Sequence, residues 1–504
     1  MAIKARYFFP LLFALLLAAR LCHLDILWAE EGLPLAAAEQ MARGKALYLD
    51  IWFDKPPLVA ATYLLWGGRD GFPLRLAGVL YALLACWIAW LFAQDLSRNR
   101  AKRAPRAAWI HSVHPLNGGA GNAPFALRGR REAFWAAGLM AFYLVFDIPS
   151  AVTPLAADML MLVPHVAAVW LAWRGRTFWS GVVAGLAFLF NAKGLFVLAS
   201  CAVWNLRAMP LLLCGFAVPN ALAAAWLWSE GALAAYWEQV WTWGRVYASV
   251  TFLEHPAANG LLRTANWLGF HAAPAIAAVW FWLRDAKADR IRWIAWCAIS
   301  FGAVAAGWRF FPRYYLQLLP LAVVAGTRGF ALLDRRRAWA LAGLLAIPFA
   351  RFGPRYALLA RDVLEGVPPK WVDVAMDQDS RKTAGLIRKM SRGGDTLFVW
   401  GFRPELYCYT WLPAASRYLD SQPLTGVPAD RHLTQSRPVE SEATRARRAE
   451  LAHTHPRFIV DGLGGFNPAL AMGAYPDLQS WLAGYREAGR TGLTRIYERL
   501  PDAP

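Results

Sequence analysis

The stretch "FPLRLAGVLYALLACWIAWLFA", Phe72 to Ala93, is 22 residues long and carries one charged residue, Arg75. A helix needs roughly 20 apolar residues to cross the hydrocarbon core of a bilayer. A second run, "YFFPLLFALLLAARLCHLDILW" (Tyr7 to Trp28), lies near the start. It lacks a small-x-small cleavage site, so we expect it to be a retained helix rather than a signal peptide. Both runs indicate a membrane protein.

The composition of the whole chain points the same way. Of its 504 residues 58% are hydrophobic, and the mean hydropathy is +0.30. Soluble domains are typically about 45–50% apolar. About ten or eleven apolar segments can be marked before residue 352. The sequence therefore predicts a mostly α polytopic membrane protein with about eleven transmembrane helices.

The net charge of +19 has two explanations, nucleic-acid binding or basic inner loops. The basic residues concentrate in the Gly- and Pro-rich segment 95–132, which the positive-inside rule places in the cytoplasm. We therefore expect a cytoplasmic loop there and no nucleic-acid partner. The sequence has no Walker loop and no G-x-G-x-x-G ahead of a helix, which argues against a nucleotide-driven pump. The six cysteines include no C-x-x-C pair, so neither a zinc site nor a disulfide framework is indicated.

Topology follows from where the arginines fall. With the N-terminus inside, helix one runs to about Trp28 and a polar outer loop spans residues 28–58. The run 177–206 is too long for one helical span and short for two. Its break at Asn191–Gly194 predicts a hairpin of two short helices, because only a hairpin keeps the later basic loops inside. Four polar stretches then share the outer side: residues 30–55, Asp158, Lys193 and Arg313.

The tail changes character after about residue 360. Two apolar segments, "TLFVWG" and "RFIVDG", read as strands, and "SRKTAGLIRKM" and "LQSWLAGYREAG" read as helices. The charged segment "PVESEATRARRAELAHTHP" reads as a solvated helix plus loop. We interpret its His453 and His455 as loop residues rather than metal ligands. The sequence thus predicts a transmembrane domain over 1–360 and a small extracytoplasmic soluble α/β domain over 361–504.

The first outer loop contains the first candidate residues for chemistry. Glu30 and Glu31 follow directly after Trp28. Carboxylates at the edge of a hydrocarbon layer tend to have raised pKa values, which suits a general base. For Glu39 and Asp50 we expect only that they keep the loop solvated.

The other polar residues each have a structural alternative. Asp158 heads an apolar helix and could be only its cap. Lys193 could snorkel to the membrane surface, and Arg313 with Tyr314 could be an interfacial anchor.

Five motifs occur in order: an outer acid pair, "YLDIWFDKPPL", "AADMLML", "GLAFLFNAKG" and "RYYLQLLP". This pattern resembles the GT-C glycosyltransferases, in the branch of protein O-mannosyltransferases and bacterial lipid A aminoarabinose transferases. The tail segments "GDTLFVWGFRPELY" and "PRFIV" are similar to bacterial members of that branch.

The resemblance implies roles for particular residues. It makes Glu30 the catalytic acid, with Glu31 beside it, and Asp158 a second functional acid. It makes Lys55 a ligand of the donor phosphate, approached also by Lys193, Arg313 and Tyr314. Asp54 would order the loop and in some relatives lies near a metal, so no cofactor is assigned and a divalent metal stays open. The family usually has Asp at the position of Glu30 and a different segment in place of "GLPLA". The choice between Glu30 and Glu31 is therefore open.

The implied activity is that of an integral membrane transferase in the bacterial cytoplasmic (inner) membrane, multi-pass, with its C-terminal domain outside. It would move a sugar from a polyprenyl-phosphate donor to a hydroxyl on a protein, lipid or glycan acceptor, with inversion and a carboxylate base, among membrane lipids. The alternative is a non-catalytic lipid-linked sugar transporter or lipid-binding membrane protein. An ion-coupled carrier would need charges near mid-membrane, whereas these charges cluster at helix ends.

Overall fold

The computed structural model describes residues 5–103, 123–147, 154–249, 254–284, 287–365, 371–432 and 436–501. The first half of the helical part comprises α1 (Ala5–Leu21), α2 (Ala29–Ala42), α3 (Pro57–Leu64), α4 (Phe72–Arg103), α5 (Ala123–Val145), α6 (Ala157–Trp173), α7 (Thr177–Phe190), α8 (Gly194–Asn205) and α9 (Met209–Ser229). The second half comprises α10 (Leu233–Tyr236), α11 (Trp243–Ser249), α12 (Pro256–Phe270), α13 (Ala272–Arg284), α14 (Lys287–Ala305), α15 (Leu319–Leu332), α16 (Arg335–Gly343) and α17 (Ala346–Glu365).

Within the described residues, two helical stretches are long and apolar enough to cross a membrane, Phe72–Arg98 and Gly194–Ser229. The second stretch reverses direction at the 3₁₀ turn Leu206–Ala208, because α9 returns along α7. The helices α6, α7, α13 and α15 are apolar but shorter. The number of about eleven spans therefore stays a prediction.

The predicted hairpin over 177–206 is confirmed. The helices α7 and α8 are separated by three residues, and the hydroxyl of Thr177 at the start of α7 donates to Oδ1 of Asn205 at the end of α8, at 2.7 Å. Gly194 permits the tight turn, because a Cβ there would lie 2.3 Å from the backbone nitrogen of Phe188. The turn between the two helices lies on the same side of the molecule as Arg313, as the sequence predicts.

The segment that the sequence predicts as the first outer loop, residues 28–58, differs from its prediction. Helix α1 ends at Leu21 instead of Trp28, and the loop contains a 14-residue helix, α2. Trp28 is the N-cap of α2, and its backbone N–H donates to the Glu31 carboxylate at 3.4 Å. The helix is mostly buried because it packs against α3 and against the helix Glu405–Thr410 of the C-terminal part. Glu31, Glu39 and Gln40 are therefore buried contacts rather than parts of a solvated loop.

Glu39 shows the consequence for the predicted solvating acids. It is buried, and Arg43 donates to its Oε1 at 2.8 Å. Burial raises the pKa of this carboxyl, which Arg43 opposes. The prediction that Glu39 merely solvates the loop is wrong. Asp50 is exposed and accepts a local hydrogen bond from the backbone of Ala46.

The basic segment 95–132 is not a loop along its whole length. The helix α4 continues to Arg103 and α5 begins at Ala123. The predicted loop therefore includes the C-terminal end of α4 and the N-terminal end of α5. Both of these helix ends are rich in basic residues, so composition alone misplaced the boundaries of the loop. The middle of the predicted loop lies outside the described residues.

The C-terminal part, which keeps the name soluble domain from its prediction, comprises α18 (Val372–Met390), β1 (Leu397–Trp400), α19 (Glu405–Thr410), α20 (Gln422–Thr425), α21 (Glu442–Ala452), β2 (Phe458–Asp461), α22 (Gln479–Leu482), β3 (Tyr485–Arg490) and β4 (Arg495–Arg499). The sheet order is β1-β2-β4-β3, in which β1 and β2 are parallel and the other pairs are antiparallel. The helix α17 runs past the predicted boundary at residue 360.

Two of the four strands, β3 and β4, are not predicted from the sequence. The segment "LQSWLAGYREAG" forms only one turn of helix, α22, and then becomes β3. Gly484 and Gly489 disfavour a helix there, and the backbone gains ladder hydrogen bonds with β4 instead. His453 and His455 are exposed near the end of α21.

The soluble domain is docked on the helical part by backbone hydrogen bonds. The N–H of Leu27 donates to Asp377 at 3.2 Å, and the N–H of Ala414 donates to Gln40 at 3.0 Å. The N–H of Trp52 donates to a backbone carbonyl of the domain at 2.7 Å. These bonds fix the domain above the segment that follows α1.

Candidate active site

A cavity of about 580 Å³ lies between the helical part and the soluble domain. Both parts supply its lining. Among the residues predicted from the sequence, seven line it: Glu30, Asp54, Lys55, Asp158, Lys193, Arg313 and Tyr314. The eighth, Glu31, does not. Residues that are far apart in sequence thus meet at one site.

Arg313 lies between the two acids at the centre of the site. Its Nη1 is 2.6 Å from Oε1 of Glu30, and its Nε is 3.5 Å from Oδ2 of Asp158. Burial alone would lower the pKa of Arg313, but the neighbouring Glu30 and Asp158 carboxylates raise it. The exposed fractions of the Glu30, Arg313 and Asp158 side chains are 35%, 27% and 8%, so Glu30 is the more accessible acid.

A strained segment presents Arg313 to the cavity. Trp308 and Phe310 have φ of 54° and 48°, in the left-handed region that costs non-glycine residues on the order of 1–3 kcal/mol each. The Phe310 ring packs on Gly260, where a Cβ would lie 2.5 Å from it. Arg263 donates to the Phe310 carbonyl at 3.1 Å. The surrounding contacts therefore hold the segment in shape.

Asp158 lies in the first turn of α6, yet it does not cap that helix. The N-cap is Ala156, which makes no side-chain cap hydrogen bond. The amide of Asn191, in the turn between α7 and α8, donates to Oδ1 of Asp158 at 3.1 Å. The carboxylate is thus directed across the cavity toward other elements, which argues against the purely structural alternative.

Lys193 does not snorkel to the surface. Its Nζ lies 2.8 Å from the centroid of the Tyr314 ring and has no hydrogen-bond partner in the described part of the chain. Burial lowers the pKa of Lys193 to about 7, which Asp158 opposes and Arg313 reinforces. A cationic side chain with no hydrogen-bonding partner is costly to bury, so an anion in the cavity would stabilise it.

Lys55 is held at the other side of the cavity. Both carboxylate oxygens of Asp54 accept from its Nζ, at 3.0 and 2.9 Å. The hydroxyl of Tyr48 donates to the Lys55 carbonyl at 2.8 Å. Burial would lower the pKa of Lys55, but Asp54 outweighs it and the pKa is raised. Pro56 and Pro57 then start α3, so they fix where this loop ends.

The carboxylate of Asp54 is therefore an ion-pair partner. The described residues contain no group of three or more His, Cys, Asp or Glu side chains that could hold a metal ion. The donor set around Asp54 does not fit a divalent metal, because its nearest charged neighbour is an ammonium group.

Glu31 faces away from the cavity into a buried pair with Arg75. Its two oxygens accept from Arg75 at 3.0 and 2.8 Å, and the backbone N–H of Leu155 donates to Oε1 at 3.0 Å. Both side chains are almost completely buried. Glu31 thus fixes the start of α2 to α4, and among the two acids only Glu30 is open to a ligand.

Sequence reasoning missed the wall that the soluble domain supplies. This wall includes Asp373, Arg403, Gln422, His432 and Gly462. One signal was present: Arg403 and Gly462 follow the parallel strands β1 and β2, and ligands of α/β sheets bind beyond the carboxyl ends of parallel strands. Arg403 itself is fully buried and bonded to Asp379 and Glu405, so it is a structural residue of that wall.

Solved structures with a similar fold match this chain over nearly its whole length. ArnT from Cupriavidus metallidurans bound to undecaprenyl phosphate superposes with a TM-score of 0.54 and 14% identity, covering 99% of both chains. The chain has the ArnT fold. The apo state of the same ArnT gives a TM-score of 0.50 at 14% identity, again over 99% of both chains. No family model matches the sequence, and a comparison with curated proteins finds no match.

The ArnT comparison confirms, at the level of the fold, the resemblance to the aminoarabinose transferases that the sequence motifs indicate. Because ArnT matches over nearly its whole length, the helical part and the soluble domain both belong to the shared architecture. The 14% identity shows a shared fold, and the grouping of Glu30, Asp158 and the three cations is an observation of this structure's own cavity.

Proposed function

We propose that the protein is an integral membrane glycosyltransferase that transfers a sugar from a polyprenyl-phosphate donor to an acceptor hydroxyl on the outer face of the bacterial cytoplasmic membrane. The observation that carries this proposal is the meeting of Lys55, Lys193 and Arg313 with Glu30 and Asp158 in one cavity. A lipid-linked phosphate needs cations at the membrane surface, and the sugar transfer needs a base. The ArnT structure with undecaprenyl phosphate supports the donor class.

The phosphate would bind between Lys193 and Arg313. Lys193 has no hydrogen-bond partner to give up, so binding costs it no existing hydrogen bond. Arg313 can form bidentate hydrogen bonds with phosphate oxygens in exchange for its bond to Glu30. Lys55 would contact the same phosphate while Asp54 keeps it in place.

This exchange leaves Glu30 without its cation and prepares it as the base. The acceptor oxygen attacks the anomeric carbon, the bond from that carbon to the phosphate oxygen breaks, and the acceptor proton passes to the carboxylate. The bonding electrons leave with the phosphate, whose growing charge the cations stabilise. One displacement of this kind inverts the anomeric configuration. Asp158 orients Arg313 and Asn191 around the reacting centre.

The outer face is supported by the distribution of charge. The cavity lies at the start of α6, at the end of α7 and just before the start of α15. The opposite ends of these helices are rich in arginine. One example is the stretch 335–337, which is exposed at the start of α16. Basic ends of this kind mark the cytoplasmic side of membrane proteins.

The test uses purified full-length protein in nanodiscs and two separate measurements. Binding of undecaprenyl phosphate should weaken about 10-fold or more in Lys55→Ala, Lys193→Ala and Arg313→Ala, because each variant removes a charge-assisted hydrogen bond of about 1.5–3 kcal/mol. Arg336→Ala, an exposed arginine elsewhere, is the matched control and should bind normally.

The second measurement is release of undecaprenyl phosphate from a panel of its hexose and pentose conjugates in the presence of membrane lipid, protein and glycan fractions. Glu30→Gln and Asp158→Asn should bind undecaprenyl phosphate but turn over at least about 10²-fold more slowly. Binding without any transfer by the unaltered protein would instead support the alternative of a non-catalytic lipid-binding protein or transporter.

A further inference from the structure

Four carboxylates line the cavity in the described part of the chain, and three of them have a partner. Glu30 pairs with Arg313, Asp54 with Lys55, and Asp158 with Arg313 and Asn191. The fourth, Asp373, makes no ion pair or side-chain hydrogen bond among the described residues, although it is half-buried. An open carboxylate inside a cavity is costly unless a ligand completes it.

The docking of α18 determines where Asp373 lies. The next residue, Val374, is fully buried against Ile26 and Trp28, immediately ahead of α2. One turn further along, Asp377 accepts from the backbone N–H of Leu27 at 3.2 Å. The first turn of α18 is therefore fixed on the residues that precede Glu30. This arrangement brings two carboxylates, one from each part of the protein, to the same end of the cavity.

The electrostatics of this pair suit a neutral hydrogen-bond donor. Burial, and then the negative charge of nearby Glu30, raise the pKa of Asp373. A first-turn acid normally gains stability from the helix dipole, so burial and repulsion outweigh that gain here. An acceptor hydroxyl group would satisfy the carboxylate, whereas an anionic group would add a third negative charge.

A second hydrogen-bond acceptor without a partner among the described residues lies on the same wall of the cavity. Nε2 of His432 lies 2.9 Å from the carbonyl oxygen of Val427, so Nε2 carries the proton and Nδ1 is an acceptor. Nδ1 has no partner in the described residues, and the side chain is 2% exposed. Burial lowers the pKa of His432 to about 4, which keeps the ring neutral. The soluble-domain wall thus offers hydrogen-bond acceptors, opposite the cations of the helical part.

We propose that Asp373 accepts a hydrogen bond from a hydroxyl of the acceptor molecule and that the acceptor is a neutral polyhydroxylated group, such as a glycan, at its reacting end. This inference rests on the proposed function. Glu30 takes the proton of the attacking hydroxyl, and Asp373 binds a neighbouring hydroxyl, so the acceptor is oriented by the soluble domain. The donor phosphate stays with Lys193 and Arg313.

The experiment measures acceptor KM, kcat and undecaprenyl phosphate binding separately, with the acceptor that the transfer assay identifies. Asp373→Ala should raise the acceptor KM about 10- to 100-fold, since it removes one hydrogen bond to a charged group. Undecaprenyl phosphate binding and the thermal midpoint should stay unchanged, which a merely structural role would not allow. Asp373→Glu should restore part of the acceptor affinity.

The matched control is Glu442→Gln, which alters an exposed first-turn acid of another helix in the same domain and should change nothing. The inference is overturned if Asp373→Ala leaves the acceptor KM unchanged, if it weakens undecaprenyl phosphate binding as much as Lys193→Ala, or if the identified acceptor reacts through an anionic group. If the unaltered protein transfers no sugar, the proposed function fails instead, so the two failures are distinguishable.

Discussion

Glu30 and Glu31 are adjacent in sequence but belong to two very different charge clusters. Glu31 and Arg75 form a closed pair, in which the carboxylate accepts hydrogen bonds from the guanidinium and from the Leu155 backbone with almost no exposure. Glu30 shares Arg313 with Asp158 at the wall of a cavity and stays partly exposed. The closed pair is complete without a ligand. The open cluster has a cation that a phosphate can take over.

The comparison predicts opposite phenotypes for two neighbouring substitutions. Glu30→Gln should lower turnover by about 10²–10⁴-fold, the range for loss of a general base, and should leave the thermal midpoint nearly unchanged. The measurement is release of undecaprenyl phosphate alongside a melting curve of the same preparation. A Glu30→Gln protein that melts early but turns over normally would reverse the two assignments.

Glu31→Ala should act mainly on stability, by about 3–5 kcal/mol, because it leaves the buried Arg75 guanidinium without its charge partner. Thermal melting in nanodiscs and the yield of folded protein check this. Replacing both residues, as in Glu31→Ala with Arg75→Met, should recover part of the loss. No recovery in the double variant would mean that Glu31 acts through its bond to Leu155 instead.

A smaller effect concerns the pH dependence of phosphate binding. Burial lowers the pKa of Lys193 to about 7, which Asp158 opposes and Arg313 reinforces, and a bound phosphate would raise it. Lysine is charged below its pKa, so the affinity for undecaprenyl phosphate should fall about 10-fold as pH rises from 6 to 9. Lys193→Arg stays charged over this range and should remove the fall. Equal pH profiles for both proteins would contradict a role for Lys193 in phosphate binding.

The smallest expected effect is that of Asp50→Asn. Asp50 is exposed on the same loop and makes one local hydrogen bond, so its loss should change stability by less than about 0.5 kcal/mol and leave turnover unaltered. The same two assays measure it. A strong loss of turnover would show that the outer loop as a whole, rather than Glu30, carries the activity.

The sequence predicts which residues meet at the cavity better than it distinguishes between the two adjacent acids. Lys55, Asp158, Lys193 and Arg313 stand at the ends of apolar runs, so counting spans and basic loops puts them on one side of the membrane. The difference between Glu30 and Glu31 depends on α2 being a helix, because adjacent helical residues point about 100° apart. With the segment read as a polar loop, nothing in the residue types separates the two acids.

The wall formed by the soluble domain could not be predicted for a different reason. Asp373 lines the same cavity as Glu30 because Val374 and Asp377 dock on residues 26–28. Contacts between segments so distant in sequence leave no local periodicity or turn signal. The same reason explains why the sequence predicts β3 to be helical. Its strand conformation depends on hydrogen bonds with β4, which its own residues do not reveal.

The division of the cavity between two parts of one chain has an evolutionary consequence. The residues proposed to bind the lipid phosphate all come from the helical part, and the unpaired hydrogen-bond acceptors of Asp373 and His432 come from the soluble domain. If the proposed function holds, recombination that exchanged only the segment after residue 371 should preserve the use of the lipid carrier and change the recipient of the sugar. On that proposal, a new acceptor specificity can arise by exchange of the C-terminal domain alone, without change to the helical part.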